Sequence, residues 1–278
     1  MRIGIDLGGT SVKAALCADD GAILIKQSVP TRTGDPDGLR EDMKQLALAL
    51  CEAGGVQPDE VESIGIGVPG TYDKVSCTLK VGTNLGMNDI CFSQAFRPEF
   101  ACAVQMDNDA NCAALGEATA GAAKNIKNML MVTLGTGVGA GIVIGGELYC
   151  GHDTGAGEIG SIPYLDRDYE YYCSSRFFVG RGTTGKEAYE RAAAGDPEAL
   201  ALWREFGGHV GQLVMLVLYT YDPEAIVFGG SIAHAFGFFR EAMYEQLKRF
   251  PYAKTVEGLH ICCSNIDHVG LLGASACE

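Results

Sequence analysis

The feature that most constrains the fold of this chain is a pattern that occurs twice. Residues 3–13 read IGIDLGGTSVK: an apolar strand runs into Asp6, turns at Gly8-Gly9-Thr10 and leaves as a second strand. A turn at Asp19-Asp20-Gly21 leads to a third strand over 22–29. The plan returns further along. A strand over 128–133 meets Leu134-Gly135-Thr136-Gly137-Val138-Gly139, and a strand over 140–144 follows, then a turn at Gly145-Gly146 and a strand over 147–149. This repetition predicts two lobes of similar topology. Crossover helices between the remaining strands make the layers α/β.

Each glycine turn has two readings. In a hairpin, Gly8 and Gly9 would supply the positive φ that other residues resist. In a phosphate site, the glycines would let backbone N–H groups approach an oxyanion, and Asp6 could hold Mg²⁺ directly or through water. Two such turns at corresponding places suggest a nucleotide clamped between the lobes, with Thr10 and Thr136 adding hydroxyl donors. Neither turn has the Lys-Ser or Lys-Thr ending of a Walker loop. GTGVGAG is followed by a strand, not by the long helix of a dinucleotide fingerprint.

Elsewhere, apolar spacings of three and four (Leu39, Met43, Leu46, Ala47, Leu50) predict a helix over 36–54. Further helices are expected over 90–96, 110–121, 185–194, 197–221, 232–250 and 269–277, and strands over 63–68, 103–106, 225–228 and 259–263. At 278 residues the chain can build a large core, and its composition, 47% hydrophobic and 20% charged, is globular. A formal net charge of −14 disfavours a nucleic-acid partner or an anionic membrane surface. No signal peptide is expected, because the first strand meets Asp6 at once, and the most apolar helical stretch, 210–221, is too short to span a bilayer. The 11 cysteines include no CxxC pair and are odd in number, which points to thiols in a reducing cytosol.

Two polar stretches carry candidate chemistry. Asp107-Asn108-Asp109-Ala110-Asn111 lies between a strand and a helix, where layered α/β proteins expose residues to a cleft. Asp109 could simply cap the helix, but one cap does not explain four polar side chains in five. A carboxylate there could accept a hydroxyl proton as that oxygen attacks a phosphoryl group. In Gly155-Ala156-Gly157-Glu158-Ile159-Gly160, a glutamate between small residues suits vicinal sugar hydroxyls, or is a solvated turn. Asn84, in GTNLG, is a similar candidate.

Seven motifs taken in order resemble the ROK family (repressor, open reading frame, kinase): DLGGTSVK at 6–13, GVPG at 67–70, DNDANCAALGE at 107–117, LGTGVGAGIV at 134–143, GAGEIG at 155–160, YDPEAIVFGG at 221–230 and GLLGAS at 270–275. The resemblance spans nearly the whole chain. It implies a two-lobed actin-like ATPase (ribonuclease H-like) α/β fold with a nucleotide and sugar cleft between lobes. The division it implies is an N-terminal lobe over 1–108, with the helix at 265–278 packing back on it, and a C-terminal lobe over 109–264. It also implies a cytoplasmic, dimeric, ATP- and Mg²⁺-dependent hexose kinase acting on the 6-hydroxyl of an aldohexose, glucose first. Allose, mannose, fructose, an N-acetylhexosamine or a β-glucoside are alternative substrates, and a catalytically silent sugar sensor is an alternative function. By the same resemblance Asp109 is the general base, and Asp6 lies near metal and phosphates. Gly8, Gly9, Thr10 and Lys13 form the first phosphate motif, and Gly135, Thr136 and Gly137 the second. Gly229 and Gly230 lie on the adenosine side, and Asn84, Asn108, Asp109 and Glu158 contact sugar. Family repressors carry a helix-turn-helix domain ahead of this part, for which the early Asp6 leaves no room.

The chain departs from the family at one place. Family kinases read GEIGH and then a cysteine-rich segment that holds structural zinc. Here Ser161 replaces the histidine, and Cys173 alone remains of the cysteines. His152 with Cys173 is half a tetrahedral site, so no structural zinc is expected. The family's second sugar-contacting glutamate lacks a secure counterpart, Glu187 being the nearest candidate.

Overall fold

The computed structural model describes residues 1–19, 21–82 and 85–277. The chain divides into two compact units. One comprises Met1–Asn125, Gly141–Ala156 and Asn265–Glu278, the other Ile126–Ala140 and Gly157–Ser264. The stretch from Asp109 to Asn125 thus falls in the first unit, on the other side of the division drawn at residue 108.

In the first unit, β1 (Arg2–Leu7), β2 (Ser11–Cys17) and β3 (Ile23–Pro30) form an antiparallel meander, and β4 (Ser63–Val68) and β8 (Ala103–Asn108) extend it in parallel. The sheet order is β3-β2-β1-β4-β8. Alternation sends Ile3, Ile5, Val12, Ala14, Ile64 and Ile66 to one face, where α1 (Pro36–Gly54) covers them with Leu39, Met43, Leu46 and Leu50. The Asp35 side chain caps α1 by accepting from the Gly38 N–H at 2.9 Å, and Gly55 ends it in the left-handed region at φ 65°. The opposite face belongs to α9 (Val269–Ser275). It lies so close that a Cβ at Gly65 would overlap the Ala274 carbonyl oxygen. Helix α2 (Asp109–Ala120) packs on α9 through a similar close approach, Gly273 against the Cys112 carbonyl.

The helix expected over 90–96 is not formed. β5 (Thr71–Asp73), β6 (Thr78–Gly82) and β7 (Met87–Cys91) make a three-stranded antiparallel sheet in which buried Leu79 faces buried Ile90. Cross-strand burial at period two outweighs local helical spacing here. Phe92, Phe96 and Phe100 are buried from the turns that follow.

The second unit is built on β9 (Met129–Leu134), β14 (Ala225–Gly229) and β15 (His260–Cys263), which run parallel. With β10 (Val138–Ile144) and β11 (Glu147–Leu148) the order is β11-β10-β9-β14-β15, the same plan as the first sheet. β10 leaves the second unit at Gly141. Between β11 and β15 lie the short hairpin β12 (Pro163–Tyr164) and β13 (Arg167–Asp168), then α3 (Tyr169–Cys173), α4 (Ser175–Val179), α5 (Gly185–Ala193), α6 (Pro197–Tyr221), α7 (Phe236–Leu247) and α8 (Ala253–Gly258). Trp203, Phe206, Phe177, Phe178 and Phe239 bury one aromatic core among these helices. The single helix expected over 232–250 is a 3-10 turn, Ser231–Ala235, followed by α7.

Candidate active site

In the first unit the register of three parallel strands aligns Asp6 with Gly67 and Gly67 with Asp107. Their carboxyl ends are where an open α/β sheet places ligand-binding residues. After β1 the chain turns at Gly8–Ser11, closed by the Gly8 N–H donating to the Ser11 carbonyl at 3.1 Å. Gly8 does not adopt positive φ; its use is the missing Cβ, which would stand 2.9 Å from that carbonyl oxygen. Thr31 braces the turn: its hydroxyl donates to the Gly8 carbonyl at 2.6 Å and its N–H to the Thr10 carbonyl at 3.1 Å. The Thr10 residue is exposed. Asp6 is about one-third exposed, with the Lys13 ammonium 4.0 Å from its carboxylate. Burial raises the Asp6 pKa, and Lys13 and then His268 offset only part of that rise. A nearby cation therefore favours its ionised form, and the carboxylate supplies the hard oxygen that Mg²⁺ prefers.

β8 delivers the polar cluster. Asp107 is 2% exposed, and its Oδ1 accepts from the Tyr72 hydroxyl at 2.6 Å, the Asn111 amide at 2.7 Å and the Asn108 N–H at 2.8 Å. Burial first, then the Asp107 charge, push the Tyr72 phenol well above its ordinary range, so it stays a donor. The Cys150 thiol lies 3.7 Å from Asp107 Oδ2 and is pushed up to about 11, mainly by burial. Asp107 is thus a buried anchor. The cap of α2 is Asn108, whose Oδ1 accepts from the Ala110 N–H at 2.9 Å, and Asp109 is the first helical residue. The Asp109 residue is exposed; its Oδ1 also accepts from the Ala110 N–H, at 2.8 Å. A carboxylate there is favoured by the helix dipole. Asn84 lies outside the described residues.

In the second unit, the Gly135 N–H donates to the Gly137 carbonyl at 3.0 Å, leaving Thr136 exposed at the apex of the turn. A Cβ on Gly137 would stand 2.5 Å from the Glu170 carboxylate, which accepts from the Val138 N–H at 3.3 Å and pairs with Arg176 at 2.9 Å. β10 then carries the other candidate. Gly157, at φ +98°, packs where a side chain would overlap the Ala140 carbonyl, and the Ala140 N–H donates to the Gly157 carbonyl at 3.1 Å. This seats the Glu158 turn directly on β10, with Glu158 itself exposed. Gly229 pairs in register with Thr133, and Gly230, at φ +83°, packs against the Leu134 backbone. Immediately after it, Ser231 and Ile232 help to line a pocket of about 400 Å³ with Lys186, Tyr189, Trp203 and Ala235.

Glu187 is occupied elsewhere. It accepts from the Thr184 N–H at 3.0 Å in the capping box of α5, which lowers its pKa. Reasoning from sequence missed Thr31, Tyr72, Cys150, Glu170 and Arg176. None sits in a motif; Thr31, Tyr72, Cys150 and Glu170 act through partners distant in the chain, and Arg176 through Glu170.

The residues left from the zinc-bearing segment do not fit zinc. Cys173 is fully buried, and burial raises its thiol pKa, the opposite of what a thiolate ligand needs. The His152 side chain is 98% exposed beside Asp153. Among the described residues no group of three His, Cys, Asp or Glu side chains could hold a metal. Tyr rings occupy this region instead: Tyr164 stacks on Tyr169 at 4.3 Å, meets Tyr172 edge-on, and bonds through its hydroxyl to His209 Nδ1 at 3.2 Å. A strong zinc chelator should therefore leave the melting temperature unchanged; a fall reversed by zinc would overturn this.

Burial lowers the His209 pKa below 6.5, with Arg181 assisting and Glu205 opposing. Its stabilising contribution is present above that unfolded value and is lost as pH falls through the lower folded one. The melting temperature should fall on acidification in this window, and His209→Asn should flatten that dependence. An unchanged profile in the variant would show that His209 is not the titrating group.

A family model described as the ROK family matches residues 2–277. The chain belongs to the ROK family, and its fold is the actin-like ATPase α/β fold of the family's sugar kinases. A glucokinase of Halalkalibacterium halodurans is 27% identical, the match covering 98% of this chain and 92% of that one. The solved structure of a ROK glucokinase from Streptomyces griseus, in complex with glucose and AMPPNP, has a TM-score of 0.81 at 25% identity, covering 99% and 98% of the two chains. A xylose repressor of Bacillus spizizenii is 26% identical, over 83% of this chain and 64% of its own.

Proposed function

We propose that this ATP-dependent sugar kinase of the ROK family transfers the γ-phosphoryl group of MgATP to the 6-hydroxyl of an aldohexose, glucose first. The observation that carries the reading is Asp109: an exposed carboxylate on the first turn of a helix, fixed through Asn108 to the buried Asp107 anchor. In this role Asp109 accepts the proton of the primary hydroxyl as its oxygen attacks the γ-phosphorus. The bond to the bridging oxygen breaks, and ADP leaves. The Gly9 and Gly137 N–H groups, with the Thr10 and Thr136 hydroxyls, hold the phosphates of the substrate, and Gly8 and Gly135, whose N–H groups close the turns, leave room for them to approach. Lys13 adds positive charge, and Asp6 reaches the Mg²⁺ that arrives with ATP, directly or through water. The adenosine end enters the pocket after Gly229-Gly230, where Ile232 and Tyr189 offer apolar and aromatic surface to a base. Asn84, Asn108 and Glu158 hold sugar hydroxyls. Homologous glucokinases support the hexose class, and the polar set supports a ring bearing several free hydroxyls. The same reading carries a cytoplasmic homodimer.

Ser161, exposed at the end of the Glu158 turn, supplies a short hydroxyl. A site that hydrogen-bonds a hydroxyl rejects sugars lacking it, because its own groups are left unpaired. An ATP-coupled assay over hexoses, N-acetylhexosamines, fructose and β-glucosides ranks substrates by kcat/KM, with glucose expected first. A clear preference for fructose or an N-acetylhexosamine would overturn the aldohexose assignment. No turnover on any sugar would leave a sugar sensor as the better reading.

A further inference from the structure

The face of the β1–β2–β3 meander that α9 covers holds a second group of cations. Register pairs Lys13 with Ser28 and Ala15 with Lys26, so these side chains share a face. With His268, Gln27 and Leu271 they line a pocket of about 310 Å³. Its electrostatics are unusual for a chain of net charge −14. Lys13 has a carboxylate, Asp6, at 4.0 Å. Lys26 has no carboxylate within ion-pair distance among the described residues; its ammonium meets His268 Nε2 at 2.8 Å. That contact requires a neutral imidazole with Nε2 unprotonated. Protonation of His268 would place two cations in contact unless an anion came between them. His268 sits at φ 62°, in the left-handed region, where Asn, Asp and His are the commonest residues after glycine.

We propose that Lys13, Lys26, Ser28 and His268 form a binding pocket for a phosphate oxyanion, either orthophosphate or the phosphate of a monoester. Lys26 and protonated His268 together balance a dianion, its oxygens accept from both and from the Ser28 hydroxyl, and the pocket volume leaves room for an ester substituent. The groups facing His268 are Lys26 from β3, Lys13 from β2 and Asp6 from β1; the first two favour an anion, and Asp6 is engaged by Lys13. Binding of the dianion calls for a protonated imidazole. It also draws on Lys13, and through it on the environment of Asp6, so an occupied pocket should slow the enzyme.

The test is titration of inorganic orthophosphate, and separately of a hexose 6-phosphate, into the 278-residue chain saturated with a non-hydrolysable ATP analogue. Binding is followed by isothermal titration calorimetry at constant ionic strength, near pH 6 and near pH 8, and in the parent also by the shift of the His268 imidazole signal in NMR. Saturable binding is expected, about tenfold weaker in Lys26→Ala and in His268→Asn, the latter chosen because Asn tolerates the left-handed backbone. Tighter binding of the ester would identify the monoester as ligand, and equal binding the free anion. Lys26→Ala should keep its basal activity while losing inhibition by phosphate. The idea falls if no saturable binding occurs, if both variants respond like the parent, or if the nucleotide analogue abolishes binding, which would make the pocket part of the nucleotide's own phosphate site. The binding measurement uses no catalysis, so it stands apart from the outcome of the substrate panel.

Discussion

Asp109→Asn should lower kcat for sugar phosphorylation by about two to four orders of magnitude, the usual span for removing a positioned general base. The substitution is nearly isosteric. The amide oxygen can still accept from the Ala110 N–H, and Asn108 still caps α2, so the helix start should survive. ATP affinity, read by fluorescence titration of a nucleotide analogue, should change little, since Asp109 has no part in the phosphate turns. A fall in kcat with unchanged nucleotide binding is the signature of an interaction made in the transition state. Near-normal turnover would remove Asp109 as the base.

Asp107→Ala should have the largest effect on stability. It leaves the Tyr72 hydroxyl, the Asn111 amide and the Asn108 N–H without their shared acceptor in a site that is 2% exposed. Stranding buried donors around a lost charged acceptor costs about 3–5 kcal/mol, and the melting temperature should fall by about 10 °C. Tyr72→Phe removes one donor, leaves Asp107 two, and should cost about 1 kcal/mol. Because Asp107 holds the backbone of Asn108, one residue before the proposed base, kcat measured on the folded fraction of Asp107→Ala should also drop, about a hundredfold for a displacement near 1 Å. Lost stability with unchanged kcat would show that Asp107 supports the fold and does not position the base.

These two aspartates mark how far the sequence could be read. Asp109 was legible because its placement is local: a strand, a short polar run and an alanine-rich helix put it at the junction whatever surrounds them. The glycine turns were legible for the same reason, and the repeated plan around them reappears as two sheets with one strand order. Tyr72 was not legible. Its bond to Asp107 spans 35 residues and exists only because β4 and β8 lie side by side in a particular register. Thr31 likewise reaches Gly8 from the far end of the meander. The choice of Asn108 over Asp109 as cap was also out of reach, since both residues cap well and only the exact start of the helix decides. The false helix over 90–96 failed on tertiary grounds, because Ile90 had a buried partner across a sheet that local spacing does not reveal. The run Tyr169, Tyr171 and Tyr172 hinted at aromatic packing where the ligands are missing, but not at its partners Tyr164 and His209.

The packing of α9 against β1 and β4 also sets an order of assembly. The strands that bear Asp6 and Asp107 are synthesised early, yet one face of their sheet, with its glycine stripe at Gly4 and Gly65, stays bare until residues 269–275 have been made. The second unit, contained within residues 126–264, has all its own strands and helices by then. On the ribosome, therefore, the later-encoded unit can finish first, while the unit bearing Asp109 waits with one face of its sheet uncovered, where wrong pairing competes with α9.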